Sequence, residues 1–160
     1  MATLPQLIEE DIERLDTVLR ELLLRSDATT VLIADKGGFL ITHQGDWSQF
    51  DLTTIAALAS GAFMANQVIA NLVHETSFNS VYQQGEIFNM FVLSVNEQCL
   101  LIVIFKTGSS VGSVKYFCSA AGQRIAKQLK IAHEREPGAG IDLSVLNLAD
   151  TSAVFRKKQD

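Results

Sequence analysis

The sequence predicts an α/β/α sandwich on a five-stranded, mainly antiparallel sheet, with the element order α-β-β-α-β-β-β-α. Three stretches of helical character, near residues 4–25, 51–75 and 109–136, are separated by short β-branched and apolar runs. Short turns containing Gly or Asn join most of these runs, and turns of this kind connect antiparallel strands. The last two runs are apolar on both faces, so helices are expected to cover both sides of the sheet.

The first third of the chain predicts a helix followed by a hairpin. The helix is expected over Leu4–Arg25, whose apolar face comprises Ile8, Ile12, Leu15, Leu19 and Leu22. Thr29–Asp35 is β-branched and apolar, which is typical of a strand. Lys36–Gly38 supplies a tight turn, and Phe39–His43 returns as the second strand.

The central helix is expected over Asp51–Glu75, with Asp51 as its N-cap. On a helical wheel it carries two apolar stripes. The first, expected to pack on the sheet, comprises Ile55, Leu58, Ala59, Ala62, Ile69 and Val73. The second comprises Ala57, Gly61, Met64 and Val68, with Ala65 and Leu72 beside them. A narrow polar strip between them holds Thr53, Ser60, Gln67, Asn71 and His74.

The second stripe needs a cover of its own, and its spacing of four, three and four residues is that of a seam between two helices. We therefore expect a dimer interface there. One alternative is a helix buried on both sides within a single protomer. A membrane span is another, because the stretch is long enough to cross a bilayer. Ser60, Asn66, Gln67 and Asn71 lie inside it and no basic flank follows, which argues against membrane insertion.

The second half of the chain predicts three more strands and a helix. The strands are expected over Ser77–Gln84, Ile87–Val95 and Cys99–Phe105, the first of them polar enough for a sheet edge. Along the middle strand, alternate side chains should point to opposite faces of the sheet. The last helix should be capped by Ser109 or Ser110 and end before Pro137. Residues 1–136 then form one domain, and residues 137–160 are expected to be a flexible tail in which Thr151–Lys158 could fold on a partner.

Composition excludes some classes of function. The net charge is −5, and no Lys or Arg occurs from Gly37 through Phe105, so a nucleic-acid site in the middle of the chain is not expected. Cys99 and Cys118 form no CxxC pair and are expected to be buried, reduced thiols. The N-terminus is acidic and lacks the pattern of a signal peptide, so we expect a cytoplasmic protein.

No motif for catalysis, a metal or a cofactor emerges. His43, His74 and His133 are far apart and lack metal-ligand spacing, so each is expected at the surface. The segment Lys106–Ser113 resembles a phosphate-binding loop, but its lysine precedes the glycines and cannot reach the phosphates as a P-loop lysine does. A capped helix start is the better interpretation, and we expect a protein that is not an enzyme.

Four stretches together resemble the Roadblock family. They are the hairpin DKGGFLITHQG, the helix start DLTTIAALASG, the strand LLIVIF and the helix start SSVGSVKYF, and the resemblance covers roughly Thr29–Leu129. It is strongest to the bacterial members that regulate gliding motility. The central helix of those members carries mostly small residues on its exposed face. Gly61 and Ala65 fit that pattern, whereas Met64 and Val68 are larger.

This resemblance implies a homodimer in which the central helices pair on one face and the two sheets join edge to edge. It also implies that the helix face binds a small Ras-like GTPase, two Roadblock subunits to one GTPase, and accelerates GTP hydrolysis without contributing a catalytic residue. The residues expected to contact that partner are Ser60, Met64, Gln67, Val68 and Asn71.

Three functional hypotheses follow. The first is a regulator of a small GTPase. The second is a dimeric scaffold subunit of a motility, polarity or transport complex that leaves nucleotide turnover unchanged. The third is a profilin-like or sensor domain that binds a small ligand between sheet and helix, which would require a polar-lined cavity. The strand faces toward the helices are almost wholly apolar, which disfavours the third.

Overall fold

A computed structural model describes residues 4–135 of the chain. It confirms the predicted fold class and element order. The elements are α1 (Glu9–Ser26), β1 (Thr30–Asp35), β2 (Leu40–Gly45), α2 (Leu52–Leu72), β3 (Ser80–Gln83), β4 (Phe88–Ser94), β5 (Cys99–Lys106) and α3 (Val111–Glu134). The predicted tail, residues 137–160, including Thr151–Lys158, lies outside the described residues.

The sheet has the strand order β2-β1-β5-β4-β3, and every neighbouring pair in it is antiparallel. β5 is the central strand, and its residues Cys99–Phe105 are all buried. Its neighbour β1 is buried except at its end, because helices cover both faces of this part of the sheet. β2 and β3 form the two edges, so the more polar strand does lie at an edge as predicted.

The helices divide between the two faces of the sheet. α1 and α3 pack together on one face over a core that includes Leu19, Phe105 and Ile125. α2 lies alone on the other face over a smaller core that includes Leu32 and Phe63. β4 contributes to both, as its alternation predicted: Phe91 and Leu93 face α1 and α3, whereas Met90 and Val92 face α2. The fold is therefore a sandwich with a double helical layer on one side and a single helix on the other.

Several element bounds differ from the sequence-based prediction. α1 begins at Glu9 rather than at Leu4, because the Asp11 carboxylate accepts a hydrogen bond from the Ile8 amide at 2.9 Å and so fixes the first turn. β2 begins at Leu40, because the Phe39 amide donates to Asp35 Oδ1 at 2.9 Å and thereby belongs to the turn. α3 begins as predicted, with the Ser113 amide donating to the Ser110 hydroxyl at 3.2 Å.

A buried ionic cluster joins the start of α1 to the end of α3. The Asp11 carboxylate, with no exposed surface, accepts two hydrogen bonds of 2.8 Å from the Arg135 guanidinium and one of 2.7 Å from the Gln128 amide. The Arg135 hydrogen bonds lower the pKa of Asp11 from 3.8 to about 2, against the opposing effect of burial. The ionised carboxylate therefore stabilises the contact between the two helices.

Replacing Asp11 by Asn tests this cluster. A carboxyl whose pKa is lower in the folded than in the unfolded state adds stability above pH 4, and this is lost as the pH falls toward 2. We expect Asp11→Asn to lower the free energy of unfolding by about 2 kcal/mol at pH 7. Urea unfolding at pH 7 and pH 2 should show the difference from wild type shrink at low pH. Glu21→Gln, at an exposed pair with Arg124, is the control and should change little. An equal loss at both pH values for Asp11→Asn would contradict the assignment.

Candidate interaction surface on the central helix

A side-chain cap begins α2, and a change of backbone conformation ends it. Asp51 caps its start, accepting from the Thr54 amide at 3.2 Å and from the Thr54 hydroxyl at 2.7 Å. At the other end, His74 adopts a left-handed backbone conformation with φ of 61°, which stops the helix after Leu72. The predicted N-cap is thus confirmed, and the helix is three residues shorter at its C-terminal end than expected.

A narrow stripe of α2 contacts the sheet. Phe63, only 1% exposed, is the largest side chain in it, and its ring centroid lies 5.1 Å from that of Phe78. Ser60 is also buried, and its hydroxyl donates to the carbonyl oxygen of Asp35 at 3.0 Å. The buried residues of the helix are Leu52, Ala56, Ala59, Ser60, Phe63 and Ala70. The residues next to Phe63 on this stripe have small side chains. The Phe63 ring therefore makes the main contact between the helix and the sheet.

The stripe that the sequence assigned to the core is wrong in large part. Ala59 is buried and Ile55 half-buried. The other four residues are exposed: Ala62, and Leu58, Ile69 and Val73, which are between 56% and 68% exposed. Phe63 belongs to neither predicted stripe, yet it packs on the sheet. The side of the helix that carries Phe63 therefore faces the sheet. The spacing of Leu52, Ala56, Ala59, Phe63 and Ala70 was a helical signal that could have found the correct stripe.

The opposite side of α2 is an exposed apolar surface, which we call the α2 face. Its large members range from Met64, 41% exposed, to Leu72, 73% exposed. The face comprises Ala57, Leu58, Gly61, Ala62, Met64, Ala65, Val68, Ile69, Leu72 and Val73. All six residues predicted for a dimer interface, Ala57, Gly61, Met64, Ala65, Val68 and Leu72, belong to it. An apolar patch of this extent on a protein surface is typical of an interaction site.

The residues predicted to contact a partner do not share one environment. Met64 and Val68 lie on the α2 face, and Asn71 is exposed beside it. Gln67 is half-buried. Ser60 is only 2% exposed, so its expected place on an accessible polar strip is wrong: the hydrogen bond to Asp35 directs it inward.

Two apolar grooves run beside α2 along the β3–β4 side of the sheet. One, of about 350 Å³, lies beside the first half of the helix and is lined by Phe50, Leu58, Phe88 and Met90 among others. The second, of about 240 Å³, lies between the helix and the edge strand, with Val81 and Tyr82 in its wall. They share Ala59, Ala62, Gln83 and Met90. A single helix thus leaves part of the apolar sheet uncovered next to the α2 face.

The α2 face carries no charge of its own. No Asp, Glu, Lys, Arg or His occurs within Leu52–Leu72. A cation close to the helix is Lys36, whose Nζ lies 5.6 Å from the centroid of the Phe63 ring. Burial lowers the pKa of Lys36, and the Glu97 carboxylate weakly opposes this shift. The surface is consequently suited to apolar and neutral contacts rather than to anion binding.

The length and composition of α2 would also suit a membrane span, with 21 residues and a mean hydropathy of 1.4. About 28% of its most apolar window is buried within the protein. Phe63 packs on the sheet, and Ser60 hydrogen-bonds to the end of β1. These contacts attach one side of the helix to its own domain, so the interpretation as one layer of the sandwich is the one that the structure supports.

The two cysteine thiols are unreactive, and the three histidines lie in different parts of the fold. Burial raises the pKa of both the Cys99 and the Cys118 thiols to about 12, so neither is a nucleophile at neutral pH. Among residues 4–135, no group of three or more His, Cys, Asp or Glu side chains could hold a metal ion. His74 and His133 are exposed as expected, whereas His43 is half-buried with its ring centroid 4.5 Å from that of Trp47.

Comparison with known proteins gives one family and a consistent set of structures. The sequence model of the Roadblock/LC7 domain matches residues 14–105, from α1 to the end of β5. No curated protein is significantly similar to the chain. MglB of Myxococcus xanthus is similar in structure, with a TM-score of 0.75 at 25% identity over 82% of this chain and 99% of that one.

Two further solved structures are similar over the same extent. The gliding protein MglB of Thermus thermophilus has a TM-score of 0.74 at 28% identity, covering 82% of this chain and 99% of its own. An MglB described as having a tetrameric arrangement has a TM-score of 0.75 at 28% identity, with the same coverage of both chains. The similarity includes nearly the whole of each of these proteins.

Substitution of two phenylalanines tests which side of α2 packs on the sheet. Phe63→Ala removes the buried ring and should lower the free energy of unfolding by about 3–5 kcal/mol. Phe39→Ala is the matched control, because Phe39 is 73% exposed and should cost less than about 0.5 kcal/mol. Both values follow from urea unfolding monitored by circular dichroism. Similar losses for the two variants would show that α2 is rotated from the orientation described.

Proposed function

The chain belongs to the Roadblock/LC7 domain family, and from that premise we propose a dimeric cytoplasmic regulator that binds a small Ras-like GTPase and stimulates its GTP hydrolysis. The partner would be of the MglA type, in keeping with the similarity to MglB. The observation that carries this proposal is the α2 face, an uncharged apolar surface on a helix that its own domain buries on one side only.

A second copy of the chain is the first occupant proposed for the α2 face. Ala57, Gly61 and Ala65 lie along it and would let a partner helix approach closely. Leu58 and Leu72 would then be withdrawn from water together with the neighbouring grooves, whereas Met64 and Val68 would be covered only in part. Burial of apolar surface at about 25 cal/mol per Å² favours such pairing.

The exposed edge of β3 gives the same dimer a second contact. β3 pairs with β4 on one side only, so its outer backbone groups have no strand partner among residues 4–135. Unpaired edge groups can form a ladder with another strand. Because the second groove lies between α2 and β3, a copy that pairs along β3 would also bring its helix toward the α2 face. This supports the edge-to-edge arrangement that the family resemblance implies.

Paired central helices would present a two-fold, mostly neutral platform to a GTPase. α2 has no Lys or Arg, so it cannot supply an arginine finger. Stimulation would therefore come from ordering the switch loops of the GTPase, with all catalytic groups provided by the GTPase itself. Asn71 lies exposed at the margin of the α2 face, where it could donate and accept hydrogen bonds.

Met64 and Val68 favour a second candidate function. Both side chains are exposed on the α2 face. The family resemblance implies mostly small residues there in the members that regulate a GTPase. Larger side chains could keep a GTPase from docking closely while leaving dimerisation intact. The protein would then be a dimeric scaffold subunit of a motility, polarity or transport complex.

Phosphate release separates these two functions. Ras-like GTPases from the same genome are loaded with GTP and mixed with the purified full chain, and phosphate is followed under single-turnover conditions. A regulator accelerates hydrolysis by at least one GTPase, and the effect saturates with the concentration of the chain. Acceleration of none of them, by a chain that is folded and dimeric, would exclude the regulatory function and favour the scaffold.

Gly61→Arg tests the dimer. A Cβ added at Gly61 meets no heavy atom within 4 Å, so a side chain at this position starts in open space and should not disturb the packing of its own protomer. In a packed seam an unpaired guanidinium costs several kcal/mol, so the dissociation constant should rise about 100-fold or more. Sedimentation at micromolar concentration should show a wild-type dimer and a folded, monomeric variant. Gln123→Arg makes an equal change of charge at an exposed position on α3, and this variant should stay dimeric. A wild-type monomer, or a dimeric Gly61→Arg, would contradict the proposal.

Asn71→Arg tests GTPase docking apart from dimerisation. A bulky cation at the margin of the α2 face should weaken binding to the GTP-loaded partner at least about 10-fold, while sedimentation still shows a dimer. Gln67→Arg should have the same direction of effect, with some loss of stability because Gln67 is half-buried.

Alanine at His43, His74 or His133 should leave stimulation near wild type. Loss of stimulation without loss of binding in one of these histidine variants would reveal a catalytic contribution that we do not propose.

A further inference from the structure

A groove of about 420 Å³ runs along the seam between α1 and α3, on the opposite side of the sheet from the α2 face. Val18 and Ile131 give it apolar wall surface, and Thr17 lies beside them. The lining also includes three cationic side chains, Arg14, Arg124 and Lys127. The groove is thus both apolar and basic, in contrast to the uncharged α2 face.

Its cations are incompletely neutralised. The Arg14 guanidinium lies 2.7 Å from Glu10, and Arg124 pairs with Glu21. Lys127 forms no salt bridge within residues 4–135. Exposed pairs such as these two are weak, so both arginines remain able to attract a further anion. The groove therefore suits an extended peptide that combines carboxylates with aliphatic side chains.

The described chain ends next to this groove. Arg135 is one helical turn beyond Ile131, and its guanidinium is held by the buried Asp11 carboxylate. Gln128, which also donates to Asp11, lines the groove. The ionic cluster thus fixes Arg135, the last described residue, about 6 Å along the helix axis from Ile131.

The sequence that follows has the composition that the groove requires. Residues 136–150 contain Glu136, Asp142 and Asp150 and no Lys or Arg. Between the first two acids lie Pro137, Gly138 and Gly140, which disfavour continuation of α3 and permit the chain to reverse. The aliphatic residues of the segment are Ile141, Leu143, Val145, Leu146 and Leu148. All the cations of the tail come later, at Arg156, Lys157 and Lys158.

We propose that residues 141–150 dock in the α1–α3 groove of their own domain, with aliphatic side chains against Val18 and Ile131 and with Asp142 among Arg14, Arg124 and Lys127. Arg124 lies eleven residues before Arg135, about 17 Å along α3, and residues 136–142 can span up to about 24 Å. The segment can therefore turn back and follow the groove. Docking there keeps this part of the tail away from the α2 face and leaves Thr151–Lys158 for a separate partner.

Disulfide trapping in the full chain tests this placement. Ser144→Cys in the tail is combined either with Thr17→Cys in the groove or with Asn71→Cys beside the α2 face, and each purified variant is oxidised with diamide. Cys99 and Cys118 are buried with raised pKa values and should not compete. A bond within one chain shifts the mobility of the monomer band on a non-reducing gel, and a bond between chains gives a dimer band. We expect the Thr17 pair to close within one chain about 10-fold faster than the Asn71 pair.

The charge of the groove is tested in the same assay. Lys127→Glu should slow disulfide closure of the Thr17 pair severalfold. With Lys127 unchanged, 0.5 M NaCl should slow closure of the same pair by a similar factor, because the attraction is electrostatic. Lys130→Glu is the matched control, since Lys130 lies on α3 outside the groove lining and should leave the rate within about twofold. Equal rates for the Thr17 and Asn71 pairs, faster closure at Asn71, closure only between chains, or no effect of Lys127→Glu would each overturn the proposal. The result does not depend on the identity of any GTPase.

Discussion

The packing of Phe63 decides which side of the central helix faces the sheet, and the exposed surface of the protein depends on that choice. Apolar side chains occur on several sides of α2, so hydrophobicity alone permits several rotations of the helix. Phe63 is the one large aromatic side chain on it, and Ser60 adds a hydrogen bond of 3.0 Å to the end of β1. These two contacts leave Leu58, Val68 and Leu72 in water, where they require another cover.

The two helical layers differ in charge, and this difference divides their roles. α1 and α3 carry charged residues of both signs along their length, and the buried Asp11–Arg135 pair joins the two helices. α2 carries none, and burial lowers the pKa of its cationic neighbour Lys36. Contacts on the α2 face should thus depend little on ionic strength, whereas contacts in the α1–α3 groove should weaken with salt. The occupants proposed for the two surfaces differ accordingly: a second copy for the uncharged α2 face and an acidic segment for the basic groove.

Sequence periodicity was sufficient for the architecture but not for the orientation of α2. The hairpin turns, the alternation of Phe91 and Val92, and the Ser110 cap are local features, and local residues determine them. The orientation of α2 about its axis does not follow from local sequence, because Phe63 packs against Phe78 and the sheet, which are distant in sequence. The burial of Ser60 likewise depends on the carbonyl group of Asp35, which is 25 residues away. Small polar residues on a mostly apolar helix are therefore poor guides to its exposed side.

The proposed pairing of two α2 faces can be tested directly through their methyl groups. Mixed dimers of methyl-labelled and unlabelled chains allow isotope-filtered NOE spectra that report only contacts between copies. We expect such NOEs for Met64, Val68 and Leu72, and none for Leu24 or Ile131, which are also exposed but lie on α1 and α3. NOEs between copies at Leu24 or Ile131, with none at Met64, Val68 and Leu72, would place the interface on the other side of the sheet and contradict this account.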